Sequence, residues 1–151
     1  MALATLFDAT DAARLLARFQ SIPADRSPQW GRMTAPKMVV HCTEALRMAT
    51  GELPVRMVPL GRVVQFSGLG PLLARRMPFP KSAPTHPKLL ARAPSAYGDE
   101  LAQLAAAFRA FASKPHTDRW AAHPLFGPLG ARDWGILAAR HLEHHLVQFG
   151  A

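Results

Sequence analysis

The stretch Asp133-Trp-Gly-Ile-Leu-Ala-Ala-Arg-His141-Leu-Glu-His144-His145-Leu-Val-Gln148-Phe-Gly150 decides how the rest of the sequence is read. Trp134, Leu137, Ala138, His141, His145 and Gln148 recur at spacings of three and four, so on a helix they share one face. His141 and His145 stand one turn apart and point the same way, the arrangement by which two imidazoles reach one divalent metal. Two core or interface histidines would give the same pair, so the spacing alone does not decide. A third ligand has to come from elsewhere in the chain.

Working outward, three more helices are expected. The first runs from Asp8 or Thr10, either of which can cap it, to Gln20, with Leu15, Leu16 and Phe19 as its apolar stripe. Trp30-Gly-Arg-Met33 then forms a connector whose indole can pin the loop to the core. A second helix starts at Thr34, tolerates Pro36 in its first turn and stops at Gly51. Its buried stripe is Met38, Cys42, Ala45 and Ala49, with His41 and Met48 beside it. A third covers Asp99 to Ser113, with Leu101, Leu104, Ala105, Phe108, Phe111 and Ala112 on its core face. The fourth spans Ala131 to Phe149.

Between the second and third helices the character changes. Residues 53–98 carry eight prolines and seven cations (Arg56, Arg62, Arg75, Arg76, Lys81, Lys88 and Arg92), with no Asp or Glu. This stretch holds nearly all of the net charge of +8. It reads as a crossover with a short strand at Arg62-Val-Val-Gln-Phe66 and a short helix around Pro71 to Arg76. Such a basic surface attracts an anionic substrate, a membrane or nucleic acid, and equally suits a solvated loop.

The architecture expected is all-α: one domain over residues 1–151, a four-helix bundle in which the crossover makes helices two and three parallel. Helix four then runs antiparallel to helix two. His41, in the first half of helix two, meets His141 and His145, in the second half of helix four, at one height. Three imidazoles from two helices suit zinc, nickel, iron or copper and leave a position for water or substrate. Such an ion activates bound water or a substrate thiol. Around the trio, His144 and Gln148 are expected to pack or hydrogen-bond in support. His123, in His123-Pro-Leu-Phe-Gly127, orders its loop or lines the pocket. Glu44, one turn after His41, is a candidate base or a plain carboxylate.

The composition narrows the function classes. No glycine-rich phosphate loop, Ser-centred nucleophile elbow or HExxH motif occurs. The basic stretch has few aromatics, which argues against nucleic acid as a partner. No apolar run is long enough to span a bilayer, so no membrane partner is expected. A single cysteine, Cys42, excludes an internal disulfide, and the lack of a basic, apolar leader makes the cytoplasm the expected compartment.

The ordered set of motifs also resembles a known family. His41 with His141-Leu-Glu-His-His145-Leu-Val-Gln148 resembles the DinB superfamily. Trp30-Gly-Arg-Met33, Met38-Val-Val-His41-Cys, His123-Pro-Leu-Phe-Gly127 and Trp134 are similar to a DinB-like family of unknown function, the likeness covering residues 30–150. That resemblance implies an up-down-down-up four-helix bundle, often a homodimer, with zinc or nickel on His41, His141 and His145. It further implies a transferase using a low-molecular-weight thiol, or a metal-dependent hydrolase, acting on a small molecule; the basic crossover suits an anionic one. A non-catalytic stress-response module with a structural or absent metal is the remaining alternative.

Overall fold

The computed structural model describes residues 3–151. Four long helices carry the core: α1 (Ala9–Gln20), α2 (Ala35–Thr50), α5 (Tyr97–Ser113) and α6 (Ala131–Gln148). Two short helices, α3 (Pro59–Ser67) and α4 (Gly70–Arg76), and a 3₁₀ turn at Pro87–Leu89 lie in the crossover. The strands β1 (Ala122–His123) and β2 (Gly127–Pro128) form a small antiparallel hairpin, with His123 opposite Gly127.

The caps explain the boundaries. Asp8 caps α1 by accepting a hydrogen bond from the Asp11 amide at 2.9 Å, which settles the choice between Asp8 and Thr10. Thr34 caps α2, and Gly51 ends it with φ of 89°, a left-handed conformation that an L side chain rarely adopts.

Helix α2 is the central element. Val39, Val40, His41, Thr43, Glu44 and Leu46 are buried together with Met38, Cys42 and Ala49, whereas Ala45 is only half-buried. The expected stripe was therefore too narrow: a helix covered on several sides is apolar nearly all round. On α5, Ala107 is buried and Ala112 is exposed, so the core face follows Glu100, Leu104, Ala107, Phe108 and Phe111.

Side-chain bridges give the helix directions. Arg92 links Glu44 to Glu100, and Arg47 donates to Gln103 at 3.3 Å, so α2 and α5 run side by side in parallel. The Gln148 carbonyl and amide hold Gln29 and Trp30, just before α2. Trp134 Nε1 donates to the Ala121 carbonyl, and the Ala121 amide donates to Ala49 at the other end of α2. Helix α6 thus runs antiparallel to α2. Leu6 bonds to Gly135 and Arg18 to Glu143, which sets α1 and α6 in the same direction.

One expectation fails. Arg62–Phe66 is not a strand but the centre of α3. The Val63-Val64 pair favours extended backbone, but Pro59 starts a helix and Gly68, at φ of 70°, ends one. No strand pairs with it. Helix α3 docks through Gly61, where an added Cβ would collide with the Pro124 carbonyl, and α4 docks the same way through Gly70 onto the Phe126 carbonyl. These two glycines make the hairpin loop the platform for both short helices. Helix α4 matches the expected short helix to within a residue.

Candidate metal centre

The antiparallel packing of α2 and α6 brings His41, His141 and His145 together. His41 Nε2 lies 3.0 Å from His141 Nε2, which lies 3.2 Å from His145 Nε2. One nitrogen from each residue falls within 4.8 Å of the other two. Zinc with nitrogen ligands at about 2.0–2.1 Å in a tetrahedron separates those nitrogens by about 3.3 Å. The two spacings to His141, 3.0 and 3.2 Å, are close to that value.

The hydrogen-bond inventory tests whether a cation fits. Gln148 Nε2 donates to the Trp30 carbonyl at 3.0 Å, which orients the amide and turns Oε1 toward His145. That oxygen accepts from His145 Nδ1 at 2.8 Å, so the His145 proton sits on Nδ1 and Nε2 carries a lone pair. His141 Nε2 has at most one proton to offer, while two imidazole nitrogens lie within hydrogen-bond distance of it. At least one of the two contacts therefore cannot be a hydrogen bond. A cation taking one lone pair from each ring would remove that mismatch.

Electrostatics keep the rings neutral. Burial lowers His41 to about 4, partly offset by the backbone of Leu89. Burial, with His41 next, lowers His145 to about 3. His141 is driven well below its ordinary value by burial and then by the His145 and His41 rings. Neutral imidazole is the ligating form, so at neutral pH no protons need to be expelled. His41 and His145 are buried, whereas His141 retains some exposure.

The other expected residues surround the trio or lie apart from it. Gln148 supports His145 directly. His144 is half-buried and packs in aromatic contacts, 5.7 Å from Trp30, 5.6 Å from Phe79 and 5.2 Å from His145. His123 makes no contact with the trio: its Nδ1 accepts from the amides of Leu125 at 3.1 Å and Phe126 at 3.2 Å, and its ring meets Phe126 and Trp134. It orders the hairpin loop. Glu44 is buried, and its Oε1 accepts from Arg47 at 2.9 Å and Arg92 at 3.1 Å. With no hydrogen bond to any of the three histidines, this carboxylate joins α2 to the crossover and is not poised as a base. Cys42 is fully buried beside Met38, and burial pushes its thiol up.

Several residues around the site carry no sequence signal. Phe79, from the crossover, lies 5.8 Å from the His141 ring. Arg140 holds it there, with its guanidinium 5.3 Å from the Phe79 ring while donating to the carbonyls of Ala74 at 2.7 Å and Met77 at 2.5 Å. Trp30 does not enter the core. Its ring meets His144 and the Lys81 ammonium, which lies 4.7 Å away. Gly31, at φ of 79°, lets the backbone pass close to Gln148, where an added Cβ would lie 3.1 Å from Nε2. No family model, curated protein or solved structure matches the chain.

Proposed function

We propose that the protein is a metal-dependent enzyme of the DinB-like type, carrying a divalent ion, zinc or nickel, on His41, His141 and His145. The parallel pairs α1 with α6 and α2 with α5, antiparallel to each other, support an up-down-down-up four-helix bundle as its architecture. The reading rests above all on the convergence of the three Nε2 atoms.

When bound, the ion supplies Lewis acidity that lowers the pKa of a thiol or water and so generates a nucleophile at neutral pH. The chain's own residues do the rest. Gln148 fixes the His145 tautomer, and Trp30 holds Gln148. His41 and His145 present their nitrogens from the buried interior, and His141, the partly exposed member, would border the approach for substrate. Phe79 and His144 give that approach an aromatic wall, and Lys81 places a cation near it. A low-molecular-weight thiol acting on a small electrophile suits a borderline, nitrogen-ligated ion that accepts thiolate, beside one cation, so thiol transfer is the preferred reaction and metal-dependent hydrolysis the alternative.

The deciding experiment is elemental analysis of untagged protein purified without a metal-affinity column, beside His41→Ala, His141→Ala and His145→Ala. About one zinc or nickel per chain is expected, and each substitution should remove it. Wild type free of metal, together with variants that take up added zinc equally well, would eliminate the proposal. Conjugation of a small thiol to a chromogenic electrophile, set against ester hydrolysis, then separates the two reactions.

A further inference from the structure

Among the described residues, five of the eight exposed large hydrophobic side chains lie together. Leu60, Val63, Phe66, Leu69 and Leu72 are 60%, 64%, 90%, 50% and 44% exposed. All five lie on α3, on α4 or at the residue capping α4. On α3, Leu60, Val63 and Phe66 recur every third residue and span an arc of about 120°, on the side turned away from Gly61. Leu69 and Leu72 repeat the spacing on α4. The docking of Gly61 and Gly70 against backbone carbonyls fixes both helices with this face outward. Isolated exposed leucines are ordinary, but a contiguous set is an interaction surface.

The charges around it identify the partner. Of the seven cations in residues 53–98, Arg75 pairs with Asp133 at 3.1 Å and Arg92 with Glu44 and Glu100. Lys88 donates to the Pro54 carbonyl, and Lys81 sits over Trp30. Among the described residues, Arg56, Arg62 and Arg76 are exposed and make no ion pair. Arg62 lies about 40° around α3 from Phe66, and Arg76 about 40° around α4 from Leu72. Both therefore border the apolar face, and no carboxylate occurs anywhere in the segment.

A second copy of the chain would bring these arginines against their equivalents with no acid to separate them. Nucleic acid would pair with the arginines but leave the aliphatic side chains uncovered. A surface with negative headgroups over hydrocarbon matches both features. We infer that the α3–α4 face docks on an anionic lipid bilayer, with Leu60, Val63, Phe66, Leu69 and Leu72 dipping into the interface and Arg62 and Arg76 on the headgroups. Among the described residues no helix is long and apolar enough to cross a membrane. That bears on spanning and leaves surface contact open.

The test is co-sedimentation of the full chain with phosphatidylcholine vesicles, with and without about one-third phosphatidylserine, at low and high salt. Binding to the anionic vesicles alone, weakened severalfold by salt, is expected. Phe66→Asp should reduce it by about tenfold or more, since a buried Phe is worth that much in partitioning. Arg62→Glu, at an exposed position, should reduce it while the circular dichroism spectrum and melting temperature stay unchanged. Equal sedimentation with neutral vesicles, no binding at low salt, or a Phe66→Asp variant that binds as well as wild type would each overturn the inference. So would a dimer in light scattering that Phe66→Asp converts to monomer, because the face would then belong to a second copy.

Discussion

Glu100→Gln isolates the ion network that joins the crossover to the core. Glu100 is completely buried, and its carboxylate accepts four hydrogen bonds: from Arg92 at 2.8 and 2.9 Å, and from the Ser95 amide and hydroxyl, each at 2.8 Å. The Arg92 guanidinium beside it, helped by Ser95, holds the carboxyl down at about 2 against burial that would raise it. An ordinary glutamate titrates near 4.5. The difference corresponds to about 3 kcal/mol at about 1.4 kcal/mol per unit. Because the folded value is depressed, this stabilisation is fully present above pH 4.5 and is lost as the pH falls toward 2. Removing one member of a buried pair costs about 3–5 kcal/mol. Arg92 is 32% exposed and can rehydrate, so the lower end applies. In the glutamine variant an amide N–H₂ must also face one Arg92 donor. Urea unfolding at pH 7 should therefore show Glu100→Gln destabilised by about 3 kcal/mol. In a series from pH 6 to 2 the gap to wild type should shrink, while acid loss from the buried histidines is common to both proteins. A variant within about 1 kcal/mol of wild type at pH 7, or a gap that does not change with pH, would refute the account.

Two glycines in helices should respond in opposite ways. Gly61→Ala drives a Cβ into the Pro124 carbonyl and should destabilise by about 1–3 kcal/mol, whereas Gly98→Ala meets nothing within 4 Å and should stabilise by about 0.4–1 kcal/mol, both read from thermal melts. Gln148→Leu removes the acceptor that fixes the His145 tautomer. It should weaken zinc affinity about 10–100-fold in competition with a chromophoric chelator. Cys42, fully buried with its thiol pushed up, should react with a disulfide reagent only after denaturant is added; rapid labelling of the native protein would show that the core around it opens.

The four long helices are legible in the sequence because each combines a period near 3.6 with a chemically explicit end: Asp8, Thr34 and Gly51 are caps whose geometry the structure reproduces. The trio is legible for a related reason. Position along α2 and α6, once the crossover is read as making α2 and α5 parallel, sets His41 level with His141 and His145 before any contact is known. Legibility stops where tertiary packing overrides local preference. The Val63-Val64 pair reads as a strand, yet Pro59 and Gly68 bound a helix there, and Gly61 seats that helix against a carbonyl more than sixty residues away. Glu44 shows the same limit from the other side. Its position one turn after His41 leaves a base and a plain carboxylate equally open, and the partner that claims it, Arg92, lies 48 residues away in a segment with no periodicity to place it.

The crossover therefore has a divided role, which the uniform excess of positive charge conceals. Its far end is structural: Arg92 draws Glu44 and Glu100 together only one turn along α2 from His41. Its middle, at Phe79 and Lys81, covers the approach to His141 and Trp30. Its near end, α3 and α4, turns apolar and basic side chains outward. Arg140 couples the last two parts, since the residue next to His141 binds the carbonyls of Ala74 and Met77 and the ring of Phe79 together. A perturbation on α4 thus has a short physical route, through a single guanidinium, to the aromatic wall beside the three histidines.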